Sequence, residues 1–219
     1  MKSINLVSRR FRFFIIVAFF FSVISSSKQE AHSGEKGSVS PVINDPKKDT
    51  LLSPEMELNR LNGLIAKDNR NADNLYNRGW LYEKMNNPIR AEKDYSAAIE
   101  INREHSDALY NRGLIYLKRK RYDLAIKDFS EVIRVKPGSA DALCNRGNAY
   151  LAKGKSKNAL QDFTSAIKIA PQDPDLYYNR ALIYLSLGKK TKALGDMREA
   201  ARLGNESAKE YLGTAENRL

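Results

Sequence analysis

The chain has 219 residues, 42% hydrophobic and 29% charged, so most of it can bury a core and stay soluble. A single cysteine, Cys144, excludes an internal disulfide framework and a Cys-rich zinc or iron–sulfur site, and two histidines leave little for metal or triad chemistry. Lys and Arg number 37 against 26 acids, a formal charge of +11.

Met1 to Arg12 carries Lys2, Arg9, Arg10 and Arg12 and no acid; Phe13 to Ile24 is apolar except for Ser22; small residues Ser25 and Ser27 follow. Basic, apolar, small is the order of a secretory signal peptide. The apolar run of 12 residues falls short of the roughly 20 needed to cross a bilayer as a helix. Residues 1–27 are therefore expected to be a signal peptide, with the protein exported to a periplasm or secreted. The alternative is a membrane anchor formed by an uncleaved segment. Cleavage would remove four basic residues, so much of the positive charge belongs to targeting. Residues 28–52, rich in Ser, Gly, Lys, Glu, Asp and Pro, are expected to be a disordered linker, since they cannot bury enough surface to offset their ordering entropy.

At residues 53–71, Ser53-Pro54 supplies an N-cap and a first-turn proline, and Leu58, Leu61, Leu64 and Ile65 fall on one side of the helix that follows. This predicts an N-terminal capping helix.

From residue 72 the sequence repeats every 34 residues. Tyr76-Asn77-Arg78-Gly79 recurs as Tyr110-Asn111-Arg112-Gly113, Cys144-Asn145-Arg146-Gly147 and Tyr178-Asn179-Arg180-Ala181. The columns Tyr82/Tyr116/Tyr150/Tyr184, Ala91/Ala125/Ala159/Ala193 and Tyr95/Phe129/Phe163/Met197 keep the same register. Apolar positions inside each unit follow helical spacing, first over Leu75, Gly79 and Tyr82, then over Ala91, Tyr95, Ala98 and Ile99. Turn formers separate the two runs, and Pro137 and Pro171 close two units. The unit is a helical hairpin, small residues on its first helix letting the second approach. One hairpin alone leaves an apolar side wet, so the units must stack.

This pattern resembles the tetratricopeptide (TPR) repeat, a 34-residue hairpin with a small residue then Tyr in its first helix and Ala, an aromatic, Ala and Pro in its second. The resemblance implies an all-α fold, a right-handed α-solenoid of helix-turn-helix TPR hairpins, with repeats at 72–105, 106–139, 140–173 and 174–205. Departures are a Leu or Tyr for the frequent Trp, Arg103 and Asn205 for Pro, and Met197 for the aromatic. Residues 206–219, with Tyr211, Leu212 and Ala215 on one side, are expected to form a C-terminal capping helix.

An Arg in every first helix (Arg78, Arg112, Arg146, Arg180) is followed 16 positions later by an Asp (Asp94, Asp128, Asp162, Asp196). Such pairs bridge the two helices of a hairpin, at ~0–1 kcal/mol each if exposed. Asparagine is a poor helix-interior residue, yet Asn77, Asn111, Asn145 and Asn179 stand mid-helix in all four units. The family resemblance puts these on the concave groove, in a row similar to the asparagine ladder of O-linked N-acetylglucosamine transferase. There the amides can pair with the backbone of a bound peptide. The other reading is that each amide bonds a neighbouring helix. Tyr76, Trp80, Tyr110, Leu114 and Tyr178 lie near the same face, as interface anchors or as core between helices. Asp73, Asp107, Asp141 and Asp175, one turn before the asparagines, complement helix N-termini. They also disfavour an acidic chaperone tail, because related repeats that clamp a C-terminal carboxylate use Lys there.

Cys144 reads as a packed residue rather than a nucleophile, with no base beside it in sequence. Lys118-Arg119-Lys120-Arg121 reads as a solvated turn, too short for a nucleic-acid surface. No phosphate-cradling loop, nucleophile elbow or metal-ligand cluster stands out, so neither an enzyme nor a cofactor is expected. The expected function is protein–protein interaction, a groove receiving an extended or helical peptide of a partner. Nucleic acid is not expected, membrane contact would come only through an uncleaved signal, and self-association stays open. A membrane-surface or nucleic-acid adaptor using the basic charge, or a non-catalytic subunit of an enzyme complex, is the alternative.

Overall fold

The computed structural model describes residues 52–216, which form ten α-helices and no strand. The expected signal peptide at 1–27, and the expected linker at 28–52 apart from Leu52, lie outside the described residues. So do the last three residues of the expected closing helix.

Helix α1 (Pro54–Lys67) is followed by four hairpins: α2 (Ala72–Lys84) with α3 (Pro88–Ile101), α4 (Ser106–Lys118) with α5 (Tyr122–Val135), α6 (Ala140–Ala152) with α7 (Ser156–Ile169), and α8 (Pro174–Ser186) with α9 (Lys190–Arg202). Helix α10 (Glu206–Glu216) ends the series. Helices that pack extensively are successive in sequence, except that α4 also touches α6. That nearest-neighbour pattern is an α-solenoid.

Local chemistry sets both ends of each first helix. Asn71, His105, Ser139 and Asp173 are N-caps whose side chains accept from a backbone N–H of the first turn, satisfying a donor with no partner inside the helix. For His105 the acceptor is Nδ1, 3.3 Å from the Ala108 nitrogen. At the other end, the turn into the second helix places Asn86, Lys120, Gly154 and Gly188 at φ of 56°, 58°, 71° and 72°. Left-handed backbone at one repeated position is what makes the reversal tight.

The first three hairpins each close over a ring. Tyr95, Phe129 and Phe163 are fully buried, and each ring lies under the glycine 16 residues earlier: Gly79, Gly113 or Gly147. The rings therefore pack inside their own hairpin and also against the next first helix, Tyr95 beside Ala108 and Ile115 and Phe163 beside Leu176 and Ile183.

A second set of contacts joins the units. Arg112 donates through Nε and Nη2 to both oxygens of Asp128 at 2.8 Å, and through Nη1 to Ser96 of the preceding second helix at 3.1 Å. Arg146 repeats this with Asp162 and Ser130, Arg180 with Asp196 and Thr164, and Arg78 with Asp94 and Asn62. Asn62 belongs to α1, which thus sits as a second helix does to the unit after it. The aspartates are buried, with exposures of 2–9%. They are not the exposed pairs that sequence spacing suggests, and each guanidinium ties three helices rather than two.

At the far end Asn205 caps α10, donating also from Nδ2 to Asp175 at 2.8 Å. This cap follows Asp173 by 32 residues instead of 34, so Leu212 takes the arginine's place and the ladder stops.

Candidate functional site: the face of the first helices

The four mid-helix asparagines are half-buried on one face of α2, α4, α6 and α8. Two of them bond the preceding first helix. Asn111 donates from Nδ2 to the hydroxyls of Tyr76 at 3.5 Å and Tyr95 at 3.4 Å. Asn145 donates to the Tyr110 hydroxyl at 3.0 Å and to the Asp141 carbonyl at 3.0 Å. A Tyr–Asn rung thus spans α2 to α4 and α4 to α6. Among the described residues Asn77 and Asn179 make no such bond. Among the described residues no first helix precedes α2, and the position 35 residues before Asn179 holds Cys144 instead of tyrosine. The row divides between the two readings of the sequence: Asn111 and Asn145 bond a neighbouring helix, while Asn77 and Asn179 carry carboxamides without a partner among the described residues.

The aromatic candidates divide likewise. Tyr178 is buried, 5% exposed, and is core rather than groove. Tyr76 stacks on His105 at 4.9 Å and on Tyr95 at 5.8 Å, and Tyr110 meets the Phe129 ring edge-on at 5.8 Å. Burial, with Asp141 adding its charge, pushes the Tyr110 phenol up, so it stays protonated as the acceptor of its rung. These tyrosines cement one unit to the next. Trp80 and Leu114 stay half-exposed on the first-helix face, Trp80 with the Lys84 ammonium 5.1 Å above its ring.

Along one edge run the aspartates of the first turns. Asp73 is 84% exposed and 3.3 Å from His105 Nε2, and Asp107 pairs with Lys136 at 3.1 Å. Asp141 pairs with no cation among the described residues, and Asp175 meets only the Asn205 amide.

Profiles of the tetratricopeptide repeat match residues 72–105, 106–139 and 174–203, and a TPR-repeat profile matches 147–188. This chain belongs to the tetratricopeptide-repeat family. Similar solved structures include MamA (20% identity, TM-score 0.67, covering 71% of this chain and 91% of that one). A second is MamA 41-end from Desulfovibrio magneticus RS-1 (20%, 0.65, 69% and 85%). A third is YrrB, described as a TPR protein with an unusual peptide-binding site (20%, 0.66, 76% and 84%). At that identity the likeness concerns the fold. No curated protein sequence matches.

Within this TPR stack, two features escaped the sequence reading. The third arginine partner (Asn62, Ser96, Ser130, Thr164) forms its own column of short polar residues at the repeat spacing, a signal present but unused. The Tyr–Asn rung spans 35 residues, one more than the repeat, so comparing equivalent columns does not show it. Burial pushes the Cys144 thiol up to about 12, consistent with an unreactive packed residue. In the basic turn, Arg119 and Arg121 both bind Glu92, at 2.6 and 3.2 Å, and Lys118 lies 3.8 Å from Glu83.

Proposed function

We propose that this TPR protein is an exported scaffold or adaptor that receives a peptide segment of a partner protein on the face of its first helices. As a protein–protein interaction module of this fold it needs no catalytic group and no cofactor of its own. The observation that carries the reading is the pair of unengaged carboxamides, Asn77 and Asn179, set half-buried on a face that also presents Trp80 and Leu114. An amide that both donates and accepts can satisfy an extended backbone whatever its side chains. A stacked scaffold loses little conformational entropy when a ligand enters, which favours binding by a preformed surface. The peptide-binding site ascribed to YrrB supports the same use of the fold. Export rests on the basic, apolar, small order of residues 1–27. The acid partners of the basic turn speak against a nucleic-acid surface there.

Affinity capture from the exporting cell tests this, using wild type, Trp80→Ala and Asn77→Ala/Asn179→Ala. Partners lost with both variants identify the face; an unchanged list with folded variants rejects it. The N-terminal residue of the isolated protein decides between cleaved signal and retained anchor.

A further inference from the structure

Arg119 and Arg121, in the basic turn between α4 and α5, line an open cleft of about 340 Å³ together with Ile89, Glu92, Lys93 and Ser96 of α3. None of the candidate residues on the first-helix face lines it. Glu92, 19% exposed, accepts from Nη1 of Arg119 at 2.6 Å and from Nη1 of Arg121 at 3.2 Å. Its column reads Ile126, Leu160 and Leu194 in the later hairpins, so a carboxylate stands where the repeat otherwise puts an apolar side chain. Each arginine spends one nitrogen on Glu92, and the remaining guanidinium N–H groups of both have no partner among the described residues. A carboxylate shared in this way holds two guanidinium groups side by side without neutralising both.

Lys93 is exposed and pairs with no acid among the described residues, so the cleft sets three cations against one carboxylate. The same three columns are basic one repeat later, as Lys127, Lys153 and Lys155, where Asp123 pairs with Lys153. After that they become Gln161, Leu187 and Lys189. The surplus of positive charge thus belongs to two unit boundaries rather than to every turn of the stack. Within the cleft Ile89 is 66% exposed, more than any other large apolar residue described. No aromatic ring lines it, whereas a nucleic acid would stack its bases on such rings.

We propose that this cleft is a second docking site and takes an acidic segment of a partner protein: an Asp or Glu side chain meets Arg119, Arg121 and Lys93, and an apolar residue beside it covers Ile89. The carboxylate accepts from the unspent guanidinium N–H groups in the bidentate geometry that arginine favours. The cations one repeat on match a chain carrying several acids rather than one small anion. The site stands apart from the first-helix face, so it holds whether or not that face receives a peptide.

The test titrates the full chain with two fluorescein-labelled dodecapeptides, repeated Asp-Leu-Ser and repeated Asn-Leu-Ser, followed by anisotropy at low and at physiological salt. The Asp peptide is expected to bind about 5–10-fold more tightly at low salt, with a smaller margin at physiological salt. Lys93→Gln/Arg119→Gln should remove that preference, and Ile89→Ser should weaken the Asp peptide several-fold. Lys190→Gln/Lys192→Gln, which takes the same charge from α9, should leave the preference intact, as should Trp80→Ala. If the Arg119 change lowers the melting temperature, Lys93→Gln alone decides, with about a 2–3-fold loss expected. Equal affinity for the two peptides overturns the inference. So does a preference that survives loss of Lys93 and Arg119, or one that falls equally with Lys190 and Lys192, since general positive charge would then carry it. A preference lost with Trp80→Ala places the acid on the first-helix face and overturns the cleft while leaving the scaffold reading standing. Binding of a twelve-residue oligothymidylate that depends on Lys93 and Arg119, without any peptide preference, assigns the cleft to nucleic acid and overturns the proposal too.

Discussion

A Cβ placed on Gly113 would lie 2.9 Å from Cε1 of Phe129, closer than real side chains approach. Gly79 stands in the same relation to Tyr95 at 2.8 Å, and Gly147 to Phe163 at 3.0 Å. The fourth hairpin carries a methyl at this place, Ala181, and its partner is Met197, an unbranched thioether that can bend aside. The two departures of the last unit are one compensated change.

Gly113→Ala should therefore cost ~1–3 kcal/mol by overpacking, although alanine is the better helix former. Adding Phe129→Met should recover a good part of the loss. Urea unfolding of the two variants checks this; a neutral Gly113→Ala would show that the ring shifts freely.

The arginine ladder predicts a larger penalty than a surface pair would. Asp128 is 2% exposed and receives two bonds from Arg112, so Asp128→Asn should destabilise by ~1–3 kcal/mol. Ser96→Ala, which removes the bond between units, should cost ~0.5–1.5 kcal/mol and couple to Arg112 in a double-mutant cycle. Additive effects of Ser96 and Arg112 would deny the bond its role.

Lys120 holds φ 58° at a turn where two other units use glycine. The left-handed conformation costs a non-glycine residue ~1–2 kcal/mol, so Lys120→Gly should raise stability by up to ~1 kcal/mol after the entropy glycine loses on folding. Gly154→Ala, at φ 71°, should lower the melting temperature. A drop with Lys120→Gly would contradict the strain.

Asp173 gives a pH dependence. Its carboxyl is raised above the ordinary 3.8, first by burial, so protonation is easier in the folded chain than in the unfolded one. Its contribution to stability is then full below 3.8 and falls as pH rises through the raised folded value. Asn is an equally good N-cap. Asp173→Asn should thus be more stable than wild type at neutral pH, and the advantage should vanish in acid. An advantage that persists unchanged below 3.8 would remove ionisation as its cause.

The candidate site was only half legible. Asn145 and Asn179 occupy the same repeat column, each followed by Arg, yet one bonds Tyr110 and the other has no partner among the described residues, because the preceding unit carries Tyr in one case and Cys in the other. Tyr178 was indistinguishable from Tyr76 and Tyr110 by column, but its unit is followed by α10, a helix displaced by two residues from the period, and it is buried. A repeat pattern reports what units share; a binding face depends on how each departs from its neighbours.

By itself the sequence determined the hairpins and their number, because helical periodicity, caps and turn residues act over a few residues and were repeated four times. It also fixed which positions are small and which are aromatic. Only the tertiary structure decided which polar groups remain open to a partner. Bonds such as Arg112 to Ser96 or Asn111 to Tyr76 form when two helices meet across a unit boundary. No local rule states how much of a side chain that meeting consumes.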